Sequence, residues 1–181
     1  MRTIFFEQPD PLALRRRLSG WRKLWVWSPA LLAIAVIAVE STGTFSSDHT
    51  SEWLRPAVEA IFGRMGDKPW SEIHHLIRKS GHFLGYGMVA LTFLRAWLLT
   101  LGQKQFLGRH QWYLGACLLA VFCTAMVAGA DELHQSFLPT RTGMLSDVGI
   151  DTCGALLACS LCWLIFWRSR SDAPGLSAPI A

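Results

Sequence analysis

Four apolar stretches, each long enough to cross a bilayer, constrain the fold of this 181-residue chain most strongly. They lie at about 24–45, 83–101, 112–130 and 148–167. A helical span needs about 20 mainly apolar residues, and a single segment can satisfy its own backbone in lipid only as a helix. The sequence therefore predicts an all-α, polytopic membrane helix bundle with four transmembrane helices.

The composition agrees with a membrane protein and argues against two other classes. Hydrophobic residues make up 51% of the chain, charged residues 17%, and the mean hydropathy is +0.29. The net charge is +4, but the basic residues flank the apolar stretches, where they set topology and contact anionic lipid rather than nucleic acid. All five cysteines lie within the third and fourth stretches, where cysteine behaves as a small apolar residue, so we expect no disulfide framework.

The basic N-terminal segment, residues 1–23, has an apolar face. Leu14, Leu18, Trp21 and Trp25 recur at helical spacing, which predicts an amphipathic helix on the cytoplasmic leaflet. The alternative is a basic flank that only fixes orientation. This region is longer than that of a secretory signal, so we expect an uncleaved first span.

Between the first two spans, residues 45–80 are too polar to cross a membrane. Ser51–Arg64 has apolar residues at helical spacing, and a second short helix around Glu72–Ile77 leads directly into the second span. We therefore expect two interfacial amphipathic helices. The domain organisation is then the basic segment 1–23, a transmembrane domain at 24–167 and a disordered cytoplasmic tail at 168–181.

Orientation follows from the distribution of Lys and Arg. The N-terminal flank has six such residues, the loop at 102–111 two and the tail two, whereas the opposite loops have five and one. Positive residues concentrate on the cytoplasmic side. The sequence therefore predicts a protein of the bacterial inner membrane with both termini in the cytoplasm and with segments 45–80 and 131–147 outside.

This topology predicts which engineered thiols an impermeant reagent reaches. In intact cells, a cysteine replacing Asp67 should react with a membrane-impermeant maleimide, whereas one replacing Gln103 should react only after lysis. The unsubstituted chain controls for the natural cysteines. Labelling of the Gln103→Cys variant alone in intact cells would show that the topology is the inverse of the predicted one.

Polar residues concentrate where the spans end. Lys79, His82 and Tyr86 share one face of the second span, at offsets of 3 and 7. The segment 131–151 lies between the last two spans and carries several ionisable and amide side chains. Polar groups at membrane depth are costly unless they are paired or used. The candidate ligand-binding residues are Lys79, His82, Tyr86, Asp131, Glu132, Gln135, Arg141, Asp147 and Asp151.

Small residues spaced four apart predict how the spans pack. The pairs Gly81/Gly85, Ala125/Gly129 and Gly154/Ala158 would each let a neighbouring helix approach closely. Such packing would bring together the outer ends of the last three spans. Lys79, Arg141 and at least one of Glu132, Asp147 and Asp151 would then be in contact.

Most of the candidate residues also have an ordinary structural explanation. Asp147 suits a helix N-terminus. Asp131 and Glu132 fit a solvated helix end, Lys79 an interfacial anchor and His82 a buried histidine bonded to a carbonyl. Asp151 is harder to explain, since it lies one turn inside an apolar stretch.

Three segments of the chain resemble motifs of VanZ-like membrane proteins. Residues 79–86 resemble K-x-x-H-F-x-x-Y, residues 131–141 resemble D-E-x-x-Q-x-F-x-P-x-R, and residues 147–154 resemble D-x-x-x-N-x-x-G. The resemblance implies a four- or five-span envelope protein, and the family is named for a protein linked to teicoplanin resistance. Asp151 departs from the motif, which usually has Asn there.

Two classes of function remain open. In the first, Lys79, His82 and Arg141 bind an anionic lipid headgroup or envelope precursor, with Asp147 and Asp151 supporting Arg141. In the second, an enzyme uses His82, Glu132 or His134 as a general acid or base on a lipid-linked substrate. A metal-dependent version of this enzyme would use the carboxylates with His82 or His134. The sequence contains no H-E-x-x-H motif, however, and we expect no metal and no cofactor. Apart from such a ligand, the expected partners are membrane lipids, and the sequence does not indicate an oligomeric state.

Overall fold

The computed structural model describes residues 10–12, 14, 20–43, 46–104, 108–139, 141 and 143–168. Its long elements are five helices, and no strand occurs among these residues. The all-α prediction is therefore confirmed. The helices are α1 (Arg22–Glu40), α2 (Ser47–Phe62), α3 (Asp67–Leu101), α4 (Arg109–Gln135) and α5 (Leu145–Arg168).

Four of these helices, α1, α3, α4 and α5, are long and apolar enough to cross a membrane, so the chain is a multi-pass membrane protein. The predicted interfacial helix around Glu72–Ile77 lies in the N-terminal part of α3, which continues without a break into the second span. The predicted amphipathic N-terminal segment and the predicted tail lie mostly outside the described residues. Leu14, which is described, packs against Val26, Ala96 and Leu99.

The core of the bundle lies between α3, α4 and α5. Leu94 and Leu98 of α3, Trp112 and Tyr113 of α4 and Phe166 of α5 are fully or almost fully buried there. The outward faces carry large apolar side chains that are half or more exposed, as expected for helices that face lipid. Examples are Leu31, Leu32, Leu118, Phe122, Leu161 and Leu164.

Helix α1 packs mainly against α3, and its Ala30 is fully buried in the same core. Trp27 of α1 meets Trp97 edge-to-face, with ring centroids 5.0 Å apart. Arg95 of α3, within a span, donates from Nη1 to the carbonyl of Val26 at 3.0 Å. The attachment of α1 thus combines core packing with specific contacts near its N-terminal end.

Helix α2 forms a cap over the N-terminal part of α3. Within α2, Arg55 bonds to Glu59 at 2.9 Å, and this hydrogen bond lowers the pKa of the Glu59 carboxyl. Between the helices, Trp70 donates from Nε1 to Ser51 Oγ at 2.7 Å, and Thr50 Oγ1 lies 3.1 Å from His74 Nε2. These two contacts hold the cap against α3.

Helices α3 and α5 approach each other most closely at Gly154. A Cβ atom added there would overlap the carbonyl oxygen of Phe83, and one added at Gly87 would lie 3.3 Å from the carbonyl oxygen of Gly154. Close packing at Gly154 is therefore confirmed. The prediction of close packing was wrong at Gly81, Gly85 and Gly129, where a Cβ added to the glycine would have no atom of a neighbouring helix within 4 Å.

This geometry predicts unequal effects of two glycine-to-alanine changes. Gly154→Ala should separate α3 from α5 and cost about 1–3 kcal/mol, the usual range for an overpacked core. Gly129→Ala is the matched control and should leave stability unchanged or slightly raised, since Ala favours helix. Thermal unfolding in detergent measures both. Equal melting temperatures for the two variants would contradict the assigned helix contact.

Candidate functional site

An ion pair joins α3 to the N-terminal end of α5. Lys79 Nζ donates to Asp147 Oδ1, and both side chains are largely buried. Ser146 also donates to Asp147 Oδ1, at 3.1 Å. The predicted contact between Lys79 and an acid of the last span is therefore confirmed, and Asp147 does more than complement a helix end.

The carboxylate of Asp131 lies between α3 and α4 and accepts hydrogen bonds from two uncharged side chains. Its Oδ2 accepts from Tyr86 Oη and from Gln135 Nε2, each at 2.9 Å. All three residues are buried. Tyr86 and Gln135 thus satisfy one oxygen of a carboxylate that apolar surroundings would otherwise penalise.

His82, Glu132 and Asp151 form a second group, one residue from each of α3, α4 and α5. One potential ligand atom from each lies within 4.8 Å of the others. Asp151 is fully buried and Glu132 is 5% exposed. His82 Nδ1 lies 3.5 Å from Asp151 Oδ1 without forming a hydrogen bond, whereas Glu132 Oε2 accepts from the Met144 amide at 2.8 Å. The geometry suits either a histidine–carboxylate pair or metal coordination.

The loop after α4 folds back over this group. Gly143 lies so close to the end of α4 that an added Cβ would overlap the carbonyl oxygen of Glu132. That close approach is what lets the Met144 amide reach the Glu132 carboxylate. The loop therefore lies at the same end of the bundle as His82, Glu132 and Asp151.

Arg141 is fixed by the backbone of the α1 end. Its Nη2 donates to the carbonyls of Glu40 at 2.7 Å and Thr42 at 3.1 Å. Burial, and next the positive charge of Arg78, lowers the pKa of Arg141, although a guanidinium stays charged in proteins. The predicted support of Arg141 by Asp147 and Asp151 is wrong, because Asp147 pairs with Lys79 and Asp151 lies beside His82.

A cavity of about 400 Å³ lies between α1, α2, α3 and α4. Arg78, His82 and Arg141 line it, as do Tyr86, Asp131 and Gln135. A second cavity of about 190 Å³ shares four lining residues with the first and adds Lys79 and Asp147. The shared residues are Arg78, His82, Gln135 and Arg141, so the two cavities adjoin.

Arg78 lines both cavities but was not among the predicted site residues. Arg78, His82 and Tyr86 recur every four residues and line the same cavity, so spacing of four would have found Arg78. Trp53 and Thr50 of α2 were missed because nothing local places α2 over α3. Conversely, His134 is exposed, bonds to Ser41 Oγ at 3.0 Å and lines neither cavity.

The fold defines a multi-pass membrane protein, and the site described above is a cluster of buried charged and polar groups at one end of its helix bundle. A family model described as VanZ/LLP1 matches residues 4–167. Because this match covers most of the 181 residues, the chain belongs to the VanZ/LLP1 family. No curated protein and no solved structure gives a significant match.

The Lys79–Asp147 pair predicts strong energetic coupling. Lys79→Gln or Asp147→Asn alone should cost about 1–3 kcal/mol, because each leaves a largely buried charge without its partner. The double variant should cost much less than the sum. Unfolding in detergent measures the cycle, with the i,i+4 pair of Arg55 and Glu59, which lies within α2 and outside the spans, as a control that should couple weakly. Additive losses at Lys79 and Asp147 would contradict the pairing.

Proposed function

We propose that this VanZ/LLP1 protein binds an anionic amphiphile in the larger cavity, on the outer side of the bacterial inner membrane. The ligand is a phosphate-bearing lipid headgroup or a lipid-linked envelope precursor. The outward orientation rests on the distribution of Lys and Arg. Tolerance of teicoplanin through such a precursor is the physiological part of the same proposal.

The combination of cationic and apolar walls in one cavity carries this proposal. Arg78, His82 and Arg141 line it together with Ile37, Trp53, Gly81 and Gly85. Trp53 is 61% exposed, so its ring is available to an apolar chain. A headgroup with an attached acyl or prenyl chain matches both kinds of wall, whereas a free polar solute matches only the cationic one.

The fixation of Arg141 supports a role in binding an anion. Its Nη2 donates to the carbonyls of Glu40 and Thr42, and these bonds orient the guanidinium. A planar guanidinium held in place can bind a phosphate through two parallel hydrogen bonds. Two nearby carboxylates already have partners, so their repulsion of a bound anion is reduced. Asp147 pairs with Lys79, and Asp131 accepts hydrogen bonds from Tyr86 and Gln135.

An acid–base enzyme is the second candidate. His82 lines both cavities and lies 3.5 Å from Asp151, an arrangement in which a carboxylate can orient a catalytic imidazole. Glu132 has a carboxylate oxygen within 4.8 Å of both His82 and Asp151. His134 has little support in this role, since it lines neither cavity.

Mass spectrometry of co-purified lipid tests the binding proposal. The parent chain should retain a phosphate-bearing lipid, and Arg141→Lys should reduce its amount at least about tenfold, because the ammonium cannot make the paired hydrogen bonds. Arg64→Lys makes the same change at an exposed position outside both cavities and should have no effect. The mass separates glycerophospholipids from polyprenyl phosphates.

Three outcomes separate the alternatives. Equal lipid retention by Arg141→Lys and Arg64→Lys would remove Arg141 from the binding site. A bound lipid whose mass changes during incubation would favour the enzyme, and His82→Gln should then stop the change. In cells that lack the natural chain, Arg141→Lys should also lower the teicoplanin concentration that stops growth, relative to Arg64→Lys.

A further inference from the structure

Four polar atoms at the centre of the cluster are left without hydrogen bonds in the part of the chain that the structure describes. Both carboxylate oxygens of Asp151, Glu132 Oε1 and His82 Nδ1 have no hydrogen-bond partner among the described residues. Asp151 is fully buried and Glu132 is 5% exposed. Buried polar atoms almost always have partners, so these four atoms need an explanation.

The protein's own cations do not supply that explanation. Lys79 Nζ is bonded to Asp147, and Arg141 Nη2 is bonded to the carbonyls of Glu40 and Thr42. A protonated His82 could balance one of the two carboxylates. Two ionised carboxylates in apolar surroundings therefore keep an excess negative charge, which is costly without a further cation.

We propose that His82, Glu132 and Asp151 bind a first-row divalent metal ion between α3, α4 and α5. The imidazole nitrogen and two carboxylates are a mixed ligand set that suits Mn²⁺, Fe²⁺ or Zn²⁺ better than Ca²⁺. This proposal replaces our expectation, from the absence of H-E-x-x-H, that the chain binds no metal. That motif places its ligands on one helix, whereas these three come from separate helices.

The spacing of the ligand atoms fits such an ion. Metal bonds of about 2.0–2.2 Å place tetrahedral ligand atoms about 3.3–3.6 Å apart. His82 Nδ1 and Asp151 Oδ1 are already 3.5 Å apart, and the whole group lies within 4.8 Å. Small side-chain adjustments would complete the coordination. Three protein ligands would leave a position for another ligand, and His82 places the ion next to both cavities.

Mn²⁺ is the probe of choice, because thiolates such as those of the five cysteines favour softer metals. The full chain is purified in a neutral detergent, stripped with EDTA and titrated with Mn²⁺ while EPR follows the free ion. The parent should bind a single Mn²⁺ with a pulsed-EPR coupling to an imidazole nitrogen. Mn²⁺ should also raise its melting temperature, since the ion joins three helices.

Isosteric variants locate the ion. Glu132→Gln and Asp151→Asn should each weaken Mn²⁺ binding at least about tenfold, as even changes around metal ligands weaken affinity 10–100-fold. Glu72→Gln makes the same change at an exposed position of α3 and should bind like the parent. Gel filtration checks that each variant is folded.

Two results would overturn the proposal. The first is no binding by the parent, which would instead indicate that Glu132 or Asp151 carries a proton. The second is Mn²⁺ binding that lacks the coupling to an imidazole nitrogen, or that is unchanged in folded Glu132→Gln and Asp151→Asn variants. Either result would place the ion elsewhere. If neither the Glu132→Gln nor the Asp151→Asn variant folds, Mn²⁺ binding and imidazole coupling in the parent chain still test the proposal.

Discussion

The backbone contact between Phe83 of α3 and Gly154 of α5 is the interaction on which the polar cluster depends. His82 directly precedes Phe83, and Asp151 lies nearly one helical turn before Gly154. The separation of the two backbones at this contact therefore sets the distance between the imidazole and the carboxylate. Any larger residue at Gly154 would have to move α5 outward, and the cluster would open with it.

Charge neutrality and helix assembly are coupled in this bundle. Each acid of the cluster is compensated or approached by a group from another element, so that no span buries its carboxylate independently. In lipid, small-residue packing and interhelical polar contacts replace the hydrophobic force between helices. The contacts are Lys79 with Asp147, Tyr86 with Asp131, His82 with Asp151 and the Met144 amide with Glu132.

Hydropathy and helical spacing predicted the four spans, the all-α fold and the contact of Lys79 with an acid, because these depend on local pattern and on the cost of charge in lipid. The partners of Arg141 could not be predicted, since they are backbone carbonyls, which any sequence provides. The small-residue rule identified Gly154 but failed at Gly81 and Gly85, which line a cavity. A small residue permits either close packing or open space, and only the neighbouring helix decides between them.

The uninterrupted length of α3 has a mechanical consequence. Its 35 residues span about 52 Å, at about 1.5 Å per residue, whereas the hydrocarbon core is about 30 Å thick. About 20 Å of a single rigid rod therefore extends past the hydrocarbon, bearing Trp70, His74 and Arg78. Helices accommodate changes in bilayer thickness by tilting, and a tilt of about 10° displaces the tip of such an arm by about 3–4 Å. The position of Trp70, which lies near the tip and bonds to Ser51 of α2, is thereby linked to the thickness of the membrane.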